Sequence, residues 1–196
     1  MYNPNHFKIT DTELIESFIS QNPFATVISI KNESPIVSHI PINRFSNGRL
    51  YGHMANSNPH SQIEDNSTIT AIFSGPHAYI SPNYYKSEFN VPTWNYSSVH
   101  CCGKLKFVND KDAVWELFNE MVSIYEGAEG WRLPNETKFK NLFNAIQFFY
   151  IESPEFEAKF KFNQNKSVED IESVIDSLEA NGENEVAKLM RECTNG

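Results

Sequence analysis

A chain of 196 residues is long enough for one sizeable domain and too short for two comfortable ones. Hydrophobic residues make up 40% of it and aromatics 13%, a folded composition that excludes disorder. Sixteen basic against 25 acidic residues leave a net charge of −9, which repels nucleic acid and anionic membrane; with no Lys/Arg cluster to offset it, unaided DNA binding is disfavoured.

Three cysteines, Cys101, Cys102 and Cys193, form no even framework and suit a reducing compartment. The polar opening MYNPNHFKITDTE lacks the apolar core of a signal peptide, and no apolar run approaches membrane-spanning length. A soluble cytoplasmic protein is the expectation.

Thr10 and Glu13 have capping-box spacing, and Leu14, Ile15, Phe18 and Ile19 then recur on one helical face. Asn22-Pro23 ends that helix. Strands follow at 25–30 and 35–42, joined by a turn at Asn32-Glu33-Ser34. Asn47-Gly48, a strong hairpin signal, leads to a third strand at 49–54. Asn58 is placed to cap a short helix with Pro59 at its first position, ending near Asp65-Asn66. Strands at 68–75 and 99–108 come next. Asn109 or Asp110 caps a longer helix that turns Val114, Leu117, Phe118, Met121 and Tyr125 inward, and GAEG at 127–130 breaks it. A second helix is expected over 134–145. The segment 146–162 reads as a strand with a bulge or kink at Pro154. Ser167 and Asp170 stand in a capping relation before an apolar stripe of Ile171, Val174, Ile175 and Leu178. Asn181-Gly182 closes that helix, and Val186, Leu189 and Met190 begin a last one. Strands in hairpin order with helices at both ends and inserted make an α+β protein, mainly β, built on an antiparallel barrel. One domain over 1–196, with a helical tail from about residue 167, is the expected organisation. The apolar stripes of that tail suit either a dimer contact or packing on the chain's own barrel.

The stretch from Gly75 to Gly103 stands apart. His77, Tyr79, Tyr84, Tyr85, Trp94 and Tyr96 crowd into it together with Pro76, Pro82 and Pro92. The prolines exclude a helix, and rings beside hydroxyls, imidazoles and amides suit a pocket for a flat, partly polar ligand. A long aromatic-packed hairpin loop closing a barrel is the competing reading. Metal-ligand spacing is absent among His39, His53, His60, His77 and His100, and His100 and Cys101 fall on opposite sides of a strand. Cys102 has no activating partner in the sequence and reads as a small buried hydrophobe.

SHIPI (38–42), GHMANSNP (52–59), GPHAYISPNYY with NVPTWNYSSVH (75–85 and 90–100) and KFNQNKS (161–167) together resemble one family. It is the FMN-binding negative transcriptional regulators, the Pai-type repressors of protease synthesis and sporulation. The resemblance runs end to end. It implies an FMN-binding split β-barrel, a homodimer with flavin at the subunit interface, and kinship with pyridoxamine-phosphate oxidases and flavin reductases. A regulator without turnover is one function it allows, an FMN-dependent oxidoreductase or flavin reductase a second, and a haem-handling relative a third.

FMN needs a cradle for its phosphate, a surface for its ring and polar partners for the ring edge. For the phosphate the candidates are His53, Asn56, Ser57 and Asn58 at a strand end and helix start, with Ser38 on the neighbouring strand. Imidazole at position 53, where related oxidases place a guanidinium, departs from the pattern. Read alone, residues 56–58 are a capped turn. For the ring the candidates are Trp94 and Tyr79, with His77 and Asn95 for hydrogen bonds. Resemblance alone adds Lys161, Gln164 and Asn165, placed to reach the partner subunit's flavin; otherwise that segment is a solvated loop. Asn163 stands where the family carries Ser.

Overall fold

The computed structural model describes residues 1–136, 139 and 143–194. A two-residue strand β1 (Lys8–Ile9) precedes α1 (Thr12–Gln21), and the strands β2 (Phe24–Lys31), β3 (Ser34–Arg44), β4 (Leu50–Ala55), β5 (Thr68–Ile80) and β6 (Thr93–Val108) follow. Helix α2 (Lys111–Glu126), the long β7 (Ile146–Lys161), α3 (Val168–Ala180) and α4 (Asn184–Thr194) complete the chain. The strands form one sheet in the order β1-β7-β4-β3-β2-β5-β6, and β7 also pairs with β6. This is the antiparallel split-barrel architecture expected from the sequence.

Turn chemistry sets the register. Asn32 and Glu33 both take positive φ, 51° and 61°, so a two-residue turn pairs Lys31 with Ser34. Such a turn matches the right-handed twist of its strands, at the cost of holding a glutamate in the left-handed region. Helix α1 begins one residue later than the capping box suggests. Its cap is Asp11, whose carboxylate accepts from the Glu13 and Leu14 amides. Asp110, not Asn109, caps α2. On α2 only Val122 is fully buried, while Leu117, Phe118 and Met121 are half-buried and Tyr125 is exposed. Of the helix expected over 134–145, residues 137, 138 and 140–142 lie outside the described residues; among the rest, 134–136 are irregular, Phe139 is helical and Phe143–Ala145 form a 3-10 turn. The helix expected from Asn58 is one 3-10 turn, Pro59–Gln62, capped by Asn58.

Two compact units make up the chain. The first comprises residues 1–18, 74–100 and 157–196, the second residues 19–73 and 101–156. In the first, Phe18 packs on Phe160 with ring centroids 5.0 Å apart, and the expected stripe Ile171, Val174, Ile175 and Leu178 is buried along α3. In the second, the alternation of β2 buries Ala25 and Val27, and β7 contributes Phe148, Phe149 and Ile151. Phe149 pairs with Gly52 of β4, and only a glycine fits there: a Cβ would sit 2.8 Å from the Phe149 ring.

Asp170, in the first turn of α3, ties down the segment that follows Tyr85. Its carboxylate accepts from the amides of Lys86 at 3.0 Å and Ser87 at 2.9 Å, and from the Ser87 hydroxyl at 2.7 Å. These bonds, that of the hydroxyl foremost, hold its pKa below the usual carboxylate range. A depressed folded-state value contributes stability above the unfolded pKa of about 3.9 and loses it as pH falls through the folded value. Amide exchange at Lys86 and Ser87 is therefore expected to accelerate selectively below about pH 4, and Asp170→Ala to reproduce that loosening at neutral pH. Equal protection of both amides in Asp170→Ala and wild type at pH 7 would contradict this.

Candidate functional site

In the first unit the aromatic stretch is mostly strand. Residues 75–80 prolong β5 and 93–103 belong to β6, so only 81–92 is irregular. The period of two then sorts its side chains. His77 and Tyr79 of β5, Trp94 and Tyr96 of β6, and Lys159 and Lys161 of β7 lie on one face. Ala78, Ile80, Asn95, Ser97, Phe160 and Phe162 are buried on the other. Tyr79 and Trp94 remain 48% and 49% exposed, large rings left half-open to solvent. The Trp94 ring lies 5.8 Å from His77 at 35° and 6.2 Å from Tyr79 at 56°. This aromatic shelf is a surface on which a planar ligand can stack.

Lys161 stands at the edge of the shelf. Its ammonium donates to the Trp94 carbonyl at 2.7 Å and the Thr93 hydroxyl at 2.6 Å. Desolvation lowers its pKa, and the neighbouring charge of Lys159 lowers it further. Lys159 is only 6% exposed. It donates to the Tyr2 carbonyl and lies over the rings of Tyr2 and Tyr96 at 5.4 and 5.3 Å.

Asn95 belongs to the opposite face. It is buried, donates to the Met190 sulfur at 3.4 Å, and its carbonyl oxygen has no partner. Gln164 folds back on its own strand, accepting from the Phe162 amide and donating to the Phe160 carbonyl. Asn165 is exposed. Asn163 takes φ of 65°, a conformation that Asn tolerates better than Ser, and donates to the Tyr85 hydroxyl at 3.1 Å. The departure at this position thus has a local reason.

In the second unit Ser38 and Asn58 meet, and they meet around a residue the sequence did not single out. The Ser38 hydroxyl lies 3.1 Å from the Asn58 side-chain oxygen and 2.8 Å from Nδ1 of His60, which is fully buried. The same Asn58 oxygen accepts the His60 amide at 2.9 Å, which fixes it as an acceptor. Ser38 has one proton for two neighbours, so the His60 tautomer follows from which of them takes it. In either tautomer Nε2 is buried and without a hydrogen-bond partner among the described residues. Burial also lowers the His60 pKa, which keeps the ring neutral. The hint available in the sequence was the Asx turn at Asn58, whose oxygen reaches the amide two residues on.

The amides of Asn56, Asn58, His60 and Ser61 are all committed within this unit: Asn56 to the Ala145 carbonyl, Asn58 to Ala55, Ser61 to Asn58 and His60 as above. An anion there would meet side chains rather than an open helix end. Asn56 donates its side-chain amide to Asn144, and Ser57 is exposed. His53 stacks on Phe148 at 5.2 Å and 28°, with Phe118 at 5.9 Å, and its Nδ1 has no partner. Burial lowers its pKa, so it is a neutral ring among phenylalanines.

The cysteine expectation reverses. Alternation along β6 buries Cys101 and exposes Cys102. Burial pushes the Cys101 thiol up to about 12 and the Cys193 thiol to about 11, which leaves neither as a nucleophile near neutrality.

Comparison with known proteins adds four findings. A family model described as "Putative FMN-binding domain" matches residues 1–153. The chain is 35% identical over 200 residues to the protease synthase and sporulation protein PAI 2 of Bacillus subtilis (strain 168), covering 98% of this chain and 95% of that one. In fold it is similar to the flavocytochrome Anf3 of Azotobacter vinelandii, with a TM-score of 0.64 and 18% identity over 79% of this chain and 69% of that one. A FAD and haem binding protein from Mycobacterium smegmatis is similar too, with a TM-score of 0.63 and 15% identity over 79% and 73% of the respective chains.

Proposed function

Because this chain belongs to the FMN-binding domain family, whose cofactor is FMN, we propose that it is a flavin-binding regulator that acts as a homodimer. The observation that carries the regulatory reading is its likeness, at 35% identity over 98% of the chain, to a protein named for protease synthesis and sporulation. When bound, FMN supplies one- and two-electron redox chemistry; the chain's own residues bind it and set its surroundings. Trp94, Tyr79 and His77 offer stacking and edge contacts for the ring, and Lys161 a charge beside it. Within the second unit, Ser38 and Asn58, with Asn56 and Ser57 nearby in the chain, are proposed as polar contacts for a flavin bound at the homodimer interface. His53, neutral and ring-packed, would serve as a wall there rather than a counter-charge.

The homodimer is supported by an apolar sheet face. On β2 and β3, Phe24, Ile30 and Val37 are exposed, and Phe24 stacks on His39 at 6.0 Å. An apolar face of this kind suits contact with a second copy. No helix among the described residues is long and apolar enough to cross a membrane. A cytoplasmic location is proposed from the three free cysteines.

A second reading, an FMN-dependent oxidoreductase, is favoured by the half-exposed shelf, since a ring lying there stays open to another reactant. One set of measurements separates the two. Sedimentation velocity with saturating FMN should give a dimer, reduced nicotinamide should be consumed no faster than with free FMN, and a gel shift at low salt should show no DNA retardation, as the −9 charge implies. Faster consumption would replace the regulator with the reductase, and a monomer would remove the homodimer.

A further inference from the structure

We propose that Lys161, backed by Lys159, is an anion seat at the edge of the aromatic shelf, and that the shelf takes a planar molecule bearing a phosphate or carboxylate. The inference deepens the flavin reading and rests on it only for the identity of the ring. The charge at the shelf edge is a property of the chain.

The protein carries nine more acidic than basic charges, yet this face holds two ammonium groups on alternate residues of β7. The two residues' Cα atoms are about 6.6 Å apart along the strand. Among the described residues no carboxylate lies within ion-pair distance of either. Lys159 is satisfied by one carbonyl and two ring faces. Lys161 is not: two of its three protons go to Trp94 and Thr93, and the third has no partner among the described residues. A partly desolvated ammonium whose charged neighbour is another ammonium gains from an arriving anion. The acceptor that fixes Lys161 is the carbonyl of the residue whose ring forms the shelf, so the anion and the stacked plane would belong to one ligand. A strand backbone fixes the position of the charge relative to the shelf, so the protein side of the seat is preorganised.

Two sources share this chemistry: the phosphate of the flavin itself, and a separate planar acid that meets it. The test measures affinities of wild type, Lys161→Met and Lys161→Arg for FMN, riboflavin, nicotinate and inorganic phosphate, with thermal melts as a folding control. If the flavin phosphate is the source, Lys161→Met weakens FMN by about tenfold or more, leaves riboflavin within about twofold, and Lys161→Arg restores most of the loss. If a separate acid is the source, FMN stays within about twofold and nicotinate or phosphate loses the tenfold instead. Either pattern supports the seat. Parallel loss of FMN and riboflavin, or no change with any ligand, overturns it. Wild type that binds nicotinate or phosphate through Lys161 but no flavin would remove the flavin reading and leave the seat standing. Wild type that binds none of the four overturns both. Should Lys161→Met fail to fold, wild type decides alone: added salt should weaken binding of the anionic ligands, FMN included, while riboflavin holds, and equal salt dependence overturns the proposal.

Discussion

Trp94→Ala is expected to shift saturable quenching of FMN fluorescence to about tenfold or more higher FMN while leaving the protein folded. The ring is half-exposed and belongs to no buried cluster, so its removal opens no cavity. What fixes this stretch of β6 is the Trp94 carbonyl, held by Lys161, and alanine keeps that carbonyl. Loss of one stacking platform is worth about 1–3 kcal/mol, roughly tenfold to a hundredfold in affinity. Trp94→Phe should recover part of it. The measurement is a fluorescence titration paired with circular dichroism. Wild-type quenching by a folded Trp94→Ala would move the flavin ring off the shelf, and an unfolded variant would recast Trp94 as a structural residue.

The largest stability effect is expected at Phe149. Its ring is fully buried and lies against the bare backbone of Gly52, with Ile42 on the same side of that glycine. No side chain on β4 can move in to fill the space, because at that register position there is none. Phe149→Ala is therefore expected to cost about 3–5 kcal/mol, at the upper end for core truncations. Gly52→Ala attacks the same contact from the other side and should cost about 1–3 kcal/mol by overpacking. Urea midpoints at unchanged m-value are the readout. A cost below about 1 kcal/mol for Phe149→Ala would show that the strands close over the gap.

The sheet was legible because its signals are local. Alternation along 25–30 and 68–75 and the Asn47-Gly48 turn each report on a few neighbouring residues, and each strand lies where they put it. Strand lengths were less legible. Pro76 and the crowd of rings suggested that β5 ends at Gly75, yet pairing across the sheet carries it to Ile80. Tertiary pairing overrides a local breaker here, and a single sequence does not display it. The candidate site was legible as a set of residue types but not as directions. Trp94 and Asn95 are adjacent, and strand geometry sends one to the shelf and the other to Met190. His60 was read only as one of five histidines without metal-ligand spacing, because its meaning comes from Ser38, 22 residues earlier. Lys159 was hidden by expectation, since a lysine flanked by Ala158 and Phe160 reads as solvated until Tyr2 and Tyr96 are seen over it.

The alternation that separates Cys101 from Cys102 also has a practical side. Of the three thiols, two are desolvated and held far into the protonated range, and the third faces outward from β6 in the second unit. The natural sequence thus carries one exposed thiol, Cys102, as the preferred attachment point for a maleimide dye or spin label, and Cys193→Ser removes the half-buried competitor. A reporter placed there leaves the shelf residues chemically untouched, so ligand binding can be followed by spectroscopy with the shelf intact.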